Sequence, residues 1–299
     1  MATVVRATVY DRRSPDWTAL EAELTRLAWL HDHRDGGQLA RLNEHGAASI
    51  DPALRQTIAM ALEVAAATDG AFDPTVLPLT ELWQFDSGGV LPPEPALAAA
   101  TEQVAWQRVT LTASAAQLSE GTRLDLGAVA KGAVVDRLGD WLEARGIGVY
   151  LLEAGGDLLV AGQKPDRSPW RVWVRHPRDS AAPLTVLEVR PGDGRLGVVT
   201  SGDYERGLEV DGVRYHHILD PRTGYPAHPM VSVTVLAASA AAADAYATAL
   251  FVLGPEQARQ VARGSAVDAL LVWPADDGVG LQAWRTAGME AVGGRLNLN

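Results

Sequence analysis

Residues 231–254 read VSVTVLAASAAAADAYATALFVLG, and the reading of this stretch decides the kind of molecule it belongs to. Apolar except for small polar residues, Asp244 and Tyr246, it imitates a membrane span. Two features argue otherwise. An aspartate in mid-helix costs about 2.5–3.5 kcal/mol on insertion scales. The pattern also changes partway: Val231 to Ala237 alternates and is rich in β-branched residues, whereas the part from Ala240 is alanine-rich. The stretch is therefore a buried strand over 231–237 followed by a buried helix over 240–253, with no membrane segment.

On the C-terminal side the pattern predicts a helix over 255–263 and strands near 267–273 and 279–284. On the N-terminal side, Asp211-Gly212 joins a hairpin of 204–209 and 213–218. Further strands are predicted at 148–153, 157–161, 170–175, 184–189 and 196–200. Asp125 to Gly132 reads as a strand-to-helix junction, its helix running to Arg145. Asp51-Pro52 opens a helix with an N-cap and a first-turn proline, and Thr68-Asp69-Gly70 ends it. A strand over 3–10, a helix over 16–30, a turn-rich segment over 71–95 and short strands at 106–111 and 115–118 complete the outline. Strands and helices intermingle without strict βαβ alternation. The expected fold class is α+β, one unit over 1–299 with a mixed β-sheet core and packed helices.

The composition excludes several functions. The 299 residues contain no cysteine, which removes disulfides, thiolate metal sites and a cysteine nucleophile. The net charge of −11 argues against a broad nucleic-acid surface. It also means that an anionic substrate needs local help from a cation, a lysine or a helix N-terminus. No apolar leader or lipid-attachment cysteine follows Met1, so the chain as given reads as cytoplasmic.

Four segments look unlike scaffold. Asp244 and Thr248 lie four apart on the predicted helix and so share a face. A carboxylate and a hydroxyl are oxygen ligands of the kind Mg²⁺ takes; a buried aspartate and a back-bonded threonine give the same spacing. Asp125-Leu126-Gly127-Ala128-Val129-Ala130-Lys131-Gly132 leaves backbone exposed at a helix start, where phosphate approaches, and Lys131 adds a point charge. Gly70-Ala71-Phe72-Asp73-Pro74-Thr75 is either a helix stop with a turn or a ledge against a flat ring. In the fourth, Thr200-Ser201-Gly202-Asp203-Tyr204 precedes His216-His217-Ile218-Leu219-Asp220-Pro221-Arg222-Thr223-Gly224. On an extended chain the two histidines face opposite ways, so at most one faces a given cleft.

In this order the four segments resemble the ApbE family, the FAD:protein FMN transferases, over Ala40 to Gly254. The resemblance implies an ApbE-type α+β fold and Mg²⁺-dependent transfer of FMN from FAD to a Thr or Ser hydroxyl of an acceptor protein, with release of AMP. It implies Asp244, Thr248 and the backbone carbonyl of Ala128 as magnesium ligands. It implies FAD contacts at Met1, His33, Ala71, Phe72, Asp73, Asp125, Lys131 and Ile218, with Ser201 supporting the phosphates. His217 or Asp244 would take the hydroxyl proton. Two places depart from the family pattern: His33 stands where a ring-covering tyrosine is usual, and Gly37 where a serine is usual. Two other activities fit the same motifs: hydrolysis of FAD to FMN and AMP, and FAD binding without turnover.

Overall fold

The computed structural model describes every residue except 1, 2, 35, 180, 277, 278 and 299. In chain order the elements are β1 (Val5–Val9), α1 (Trp17–His31), α2 (Gln38–His45), β2 (Ala47–Ser49), α3 (Pro52–Ala67), α4 (Leu77–Trp83), α5 (Glu94–Thr101), β3 (Val109–Leu111), β4 (Ala115–Leu118), α6 (Ala130–Glu143), β5 (Tyr150–Ala154) and β6 (Asp157–Ala161). They continue with β7 (Trp170–Arg175), β8 (Pro183–Val189), β9 (Arg195–Gly202), β10 (Gly207–Val210), β11 (Val213–His216), β12 (Ser232–Ala237), α7 (Ala240–Gly264), β13 (Asp268–Pro274), β14 (Leu281–Arg285) and α8 (Ala287–Val292).

A seven-stranded sheet in the order β1-β5-β6-β9-β12-β13-β14 is the core of an α+β fold. Its strands are mixed in sequence order and not in direction, since every pairing is antiparallel. Both faces of its centre are covered, which is why β12 is buried at every position. Val233, Val235 and Ala237 pack with Leu250 and Phe251 of α7, beside Leu271 of β13. Leu236 turns the other way and joins Val198, Leu270 and Val272 against the β7–β8 ribbon and Met289 of α8. The apolar run that imitates a membrane span is thus a doubly covered strand feeding a core helix. Among the described residues no helix is long and apolar enough to cross a membrane.

Helix α7 begins with Ser239 as N-cap and breaks at Gly254, where φ is 72° and Pro255 follows. The helices expected at 240–253 and 255–263 are the two sides of this break. The Asp51 side chain caps α3 by accepting from the Ala53 N–H. Two expectations need correction. Residues 71–95 hold α4 and the start of α5 as well as turns. The segment before α6 is irregular and contains no strand: the Asp125 N–H donates to the Pro74 carbonyl, and Asn43 bonds both the N–H and the carbonyl of Leu124. These side-chain and loop partners replace a ladder.

Candidate functional site

Helices α6 and α7 meet at their N-terminal ends, and glycine makes the approach possible. A Cβ on Gly132 would collide with the Ala240 carbonyl, and one on Gly197 of β9 would press on the Ala240 backbone. Asp136 of α6 fixes the contact. Its carboxylate accepts from the N–H groups of Ala240 and Ala241 at 3.0 and 2.9 Å and from the Ser239 hydroxyl at 2.7 Å. The start of α6, at Lys131, and the second and third turns of α7, at Asp244 and Thr248, face one cavity of about 760 Å³.

Most of the residues singled out in the sequence line it: Ala71, Phe72, Asp73, Asp125, Ala128, Lys131, Ser201, His217, Ile218, Asp244 and Thr248. Phe72 and Ala71 are buried apolar residues of the cavity lining. Asp73 is held from behind by Thr75 and the Trp106 N–H; burial pushes its carboxyl above the usual range. Asp125 accepts from the Thr80 hydroxyl at 2.9 Å and the Gly127 N–H at 2.8 Å. Those bonds fix the loop that carries Ala128. The Thr248 hydroxyl lies 3.3 Å from that of Ser201.

At the cavity floor the Lys131 ammonium donates to Asp157 at 2.7 Å and reaches both Asp244 oxygens at 3.2 and 3.3 Å. Asp244 also accepts from the Gly132 N–H at 3.2 Å. Burial opposes the charge on Lys131, but the two carboxylates outweigh it and hold the lysine protonated. Burial and then the nearby Asp244 push the Asp157 carboxyl well above the usual carboxylate range, against the pull of Lys131.

The two histidines part as extended backbone dictates. His216 points inward, its Nε2–H donating to the Ala227 carbonyl at 2.9 Å. His217 lines the cavity, and its buried Nδ1 has no hydrogen-bond partner among the described residues. Burial, then Arg206 and His216, push its imidazole down to about 3, so the ring is neutral at ordinary pH.

Three placements differ from the rest. Met1 lies outside the described residues. His33 is not among the cavity-lining residues; its Nε2 accepts from Arg34 at 3.2 Å. Asp203 is turned to Arg178, which grips it with two bonds at 2.7 and 2.6 Å.

Sequence reasoning missed Asp157, Trp173, Arg175 and Arg206, which also line the cavity, as does Tyr204 of the 200–204 segment. A signal for Asp157 was present. Gly155 and Gly156 have φ of 56° and 92°, the paired positive values of a two-residue hairpin, and they deliver the next residue to the sheet end. Trp173 and Arg175 lie on the outward face of β7, where alternation gave no hint of a neighbouring cavity.

Hard oxygen donors, a lysine held protonated, a histidine held neutral and buried apolar residues line one cavity, an arrangement able to hold an anionic group beside an apolar one. The ApbE family model matches residues 1–271. The chain is 34% identical over 279 residues to the FAD:protein FMN transferase of Vibrio cholerae, covering 88% of this chain and 82% of that protein. Against the FAD:protein FMN transferase of Treponema pallidum it is 36% identical over 304 residues, covering 92% and 83%. Two solved structures share the fold. The flavin transferase ApbE of Vibrio cholerae matches with TM-score 0.83 at 30% identity, over 98% of this chain and 96% of that one. The ApbE protein of Thermotoga maritima matches with TM-score 0.85 at 32% identity, over 97% and 96%. This chain belongs to the ApbE family.

Proposed function

We propose that the protein transfers FMN from FAD to a Thr or Ser hydroxyl of an acceptor protein, with AMP as the second product. The observation that carries this reading is the shared cavity: Phe72, Asp125, Lys131, His217 and Asp244 come from four distant segments and line one wall system. The flavin ring is assigned to the Ala71–Phe72 wall and the diphosphate to the α6 N-terminus beside Lys131. The acceptor oxygen attacks the FMN-side phosphorus, a phosphoester forms, and the bond to the bridging oxygen breaks as AMP leaves. His217, which lines the cavity, takes the hydroxyl proton, since Asp244 is already engaged by Lys131 and Gly132. A base pushed down to about 3 is weak, but part of that depression comes from Arg206 and Lys131. An anionic diphosphate beside these cations offsets it and raises the imidazole towards a working value.

The donor set suits Mg²⁺: the Asp244 carboxylate, the Thr248 hydroxyl and the Ala128 backbone, all oxygen donors, line the same cavity. Bound there, the ion would supply charge neutralisation and orientation for the diphosphate. Cavity and family together favour transfer over simple flavin storage.

The test is mass spectrometry of an acceptor bearing an accessible Thr after incubation with this protein, FAD and Mg²⁺. The acceptor is expected to gain one FMN while AMP appears in equal amount, and a Thr→Val acceptor to gain none. His217→Ala is expected to slow transfer by roughly 10²–10⁴ while FAD still binds. AMP and free FMN released at one rate with or without acceptor, and no adduct, would establish hydrolysis instead.

A further inference from the structure

The cluster at the cavity floor is unbalanced. Two carboxylates, Asp157 and Asp244, share the single ammonium of Lys131, and both are almost fully shielded from water, with side chains 4% and 3% exposed. A buried carboxylate needs a charge partner. Lys131 does not divide itself evenly: it lies 2.7 Å from Asp157 and 3.2 Å from the nearer Asp244 oxygen. Asp157 is held for this task by the Gly155-Gly156 hairpin at the sheet end, whereas Asp244 and Lys131 come from two different helices. The same Asp244 oxygens that meet the lysine are those a metal ion would need. Lysine and metal therefore compete for one carboxylate.

We propose that Asp157 is a positioning residue that draws the Lys131 ammonium off Asp244 and so leaves the Asp244 carboxylate open to a divalent cation. This rests on the metal reading of Asp244 given above. Without Asp157, Lys131 and Asp244 would close into a neutral pair with no net attraction for a cation. With Asp157 present the ammonium has a second and nearer acceptor, so Asp244 is not closed into an exclusive pair with it. Lys131 then rests on Asp157 with its remaining donors free to face the phosphates.

Calorimetric titration of Mn²⁺ into the FAD-free protein tests this without any turnover, with thermal melts to confirm folding. Asp157→Asn is expected to weaken Mn²⁺ binding by about 10–100-fold, the usual cost of losing a group that orients a metal ligand. Lys131→Met removes the competitor without touching Asp157 and is expected to bind Mn²⁺ more tightly than the wild type. In that background Asp157→Asn should cost much less than it does alone. Wild-type affinity in Asp157→Asn overturns the proposal, as does weaker binding in Lys131→Met. An equal cost in both backgrounds also overturns it, because Asp157 would then act on the cation directly. Wild-type affinity in Asp244→Asn overturns the metal reading itself, and the two failures are thereby distinguished.

Discussion

His216 is an imidazole kept neutral by its surroundings. It is 2% exposed, stacks edge-on against Phe251 at 5.4 Å, and accepts the Ile218 N–H at Nδ1. Burial pushes it down to about 4. In the unfolded chain a histidine titrates near 6.5. Between those values the unfolded state takes up a proton that the folded state refuses. This contribution to stability is complete above about 6.5 and is lost as pH falls towards 4, by about 1.4 kcal/mol per unit. Buried carboxylates such as Asp73 and Asp136, whose titration is raised, act in the opposite sense, so the test must isolate the histidine. The stability difference between the wild type and His216→Phe, measured by denaturant unfolding, should shrink steadily from pH 6.5 to pH 4.5. A pH-independent difference would show that this imidazole is not held neutral. Sequence could say that only one of this pair reaches a given cleft, because alternation is local. Alternation alone could not say which one, because that depends on the Ala227 carbonyl across the turn; the resemblance to the family named His217.

At the scale of elements, the site depends on how α6 and α7 are pinned together. Asp136 supplies two backbone hydrogen bonds to the start of α7 and one to its N-cap hydroxyl. Asp136→Ala leaves those donors unmet in a buried place. The expected loss is about 2–3 kcal/mol, seen as a lower urea midpoint with an unchanged slope. Asp136→Asn keeps acceptors for part of the set and should lose less. A loss under about 0.5 kcal/mol for the alanine variant would show that the helices are held by packing alone. The long elements were legible: α1, α3, α7 and the strands β5 to β9 carry periodicity, caps or turn pairs of their own. The short α2, α5 and α8 were not, since each has little sequence of its own and is held by tertiary contacts. The false strand before α6 has the same origin. Its backbone is satisfied by Asn43, 81 positions away, which no local pattern reveals. Asp157 escaped for a related reason: the glycine pair announces a turn but not what stands across from it.

For the molecule as a whole, the loops around the cavity are joined both by packing, as at Trp83, Leu97 and Leu219, and by ion pairs. Asp86 accepts from Arg34, which follows α1, and from Arg206, which lines the cavity between β9 and β10. Both arginines are more than half exposed, at 57% and 54%. Exposed pairs of this kind add little to global stability, at most about 1 kcal/mol. Asp86→Ala should leave the melting temperature almost unchanged. It should speed amide exchange at 203–207 while β12 stays protected. Exchange that is unchanged at 203–207 would mean the pair does not restrain that rim.

The order of strands in the main sheet also sets a schedule. Val5 pairs with Ala154, and the buried centre at Ser232–Ala237 joins only through strands on either side of it, the last of them beginning at Asp268. A ribosome adds about 5–20 residues each second, so roughly 12–45 s separate the emergence of the first strand from that of the central one. For roughly 7–29 s of that interval β1 waits for its partner β5, and until β12 emerges the cavity has only part of its wall. The centre of the sheet is therefore enclosed only once β13 has followed β12. The nascent chain carries exposed sheet edges for tens of seconds, a period in which it depends on being shielded from its neighbours.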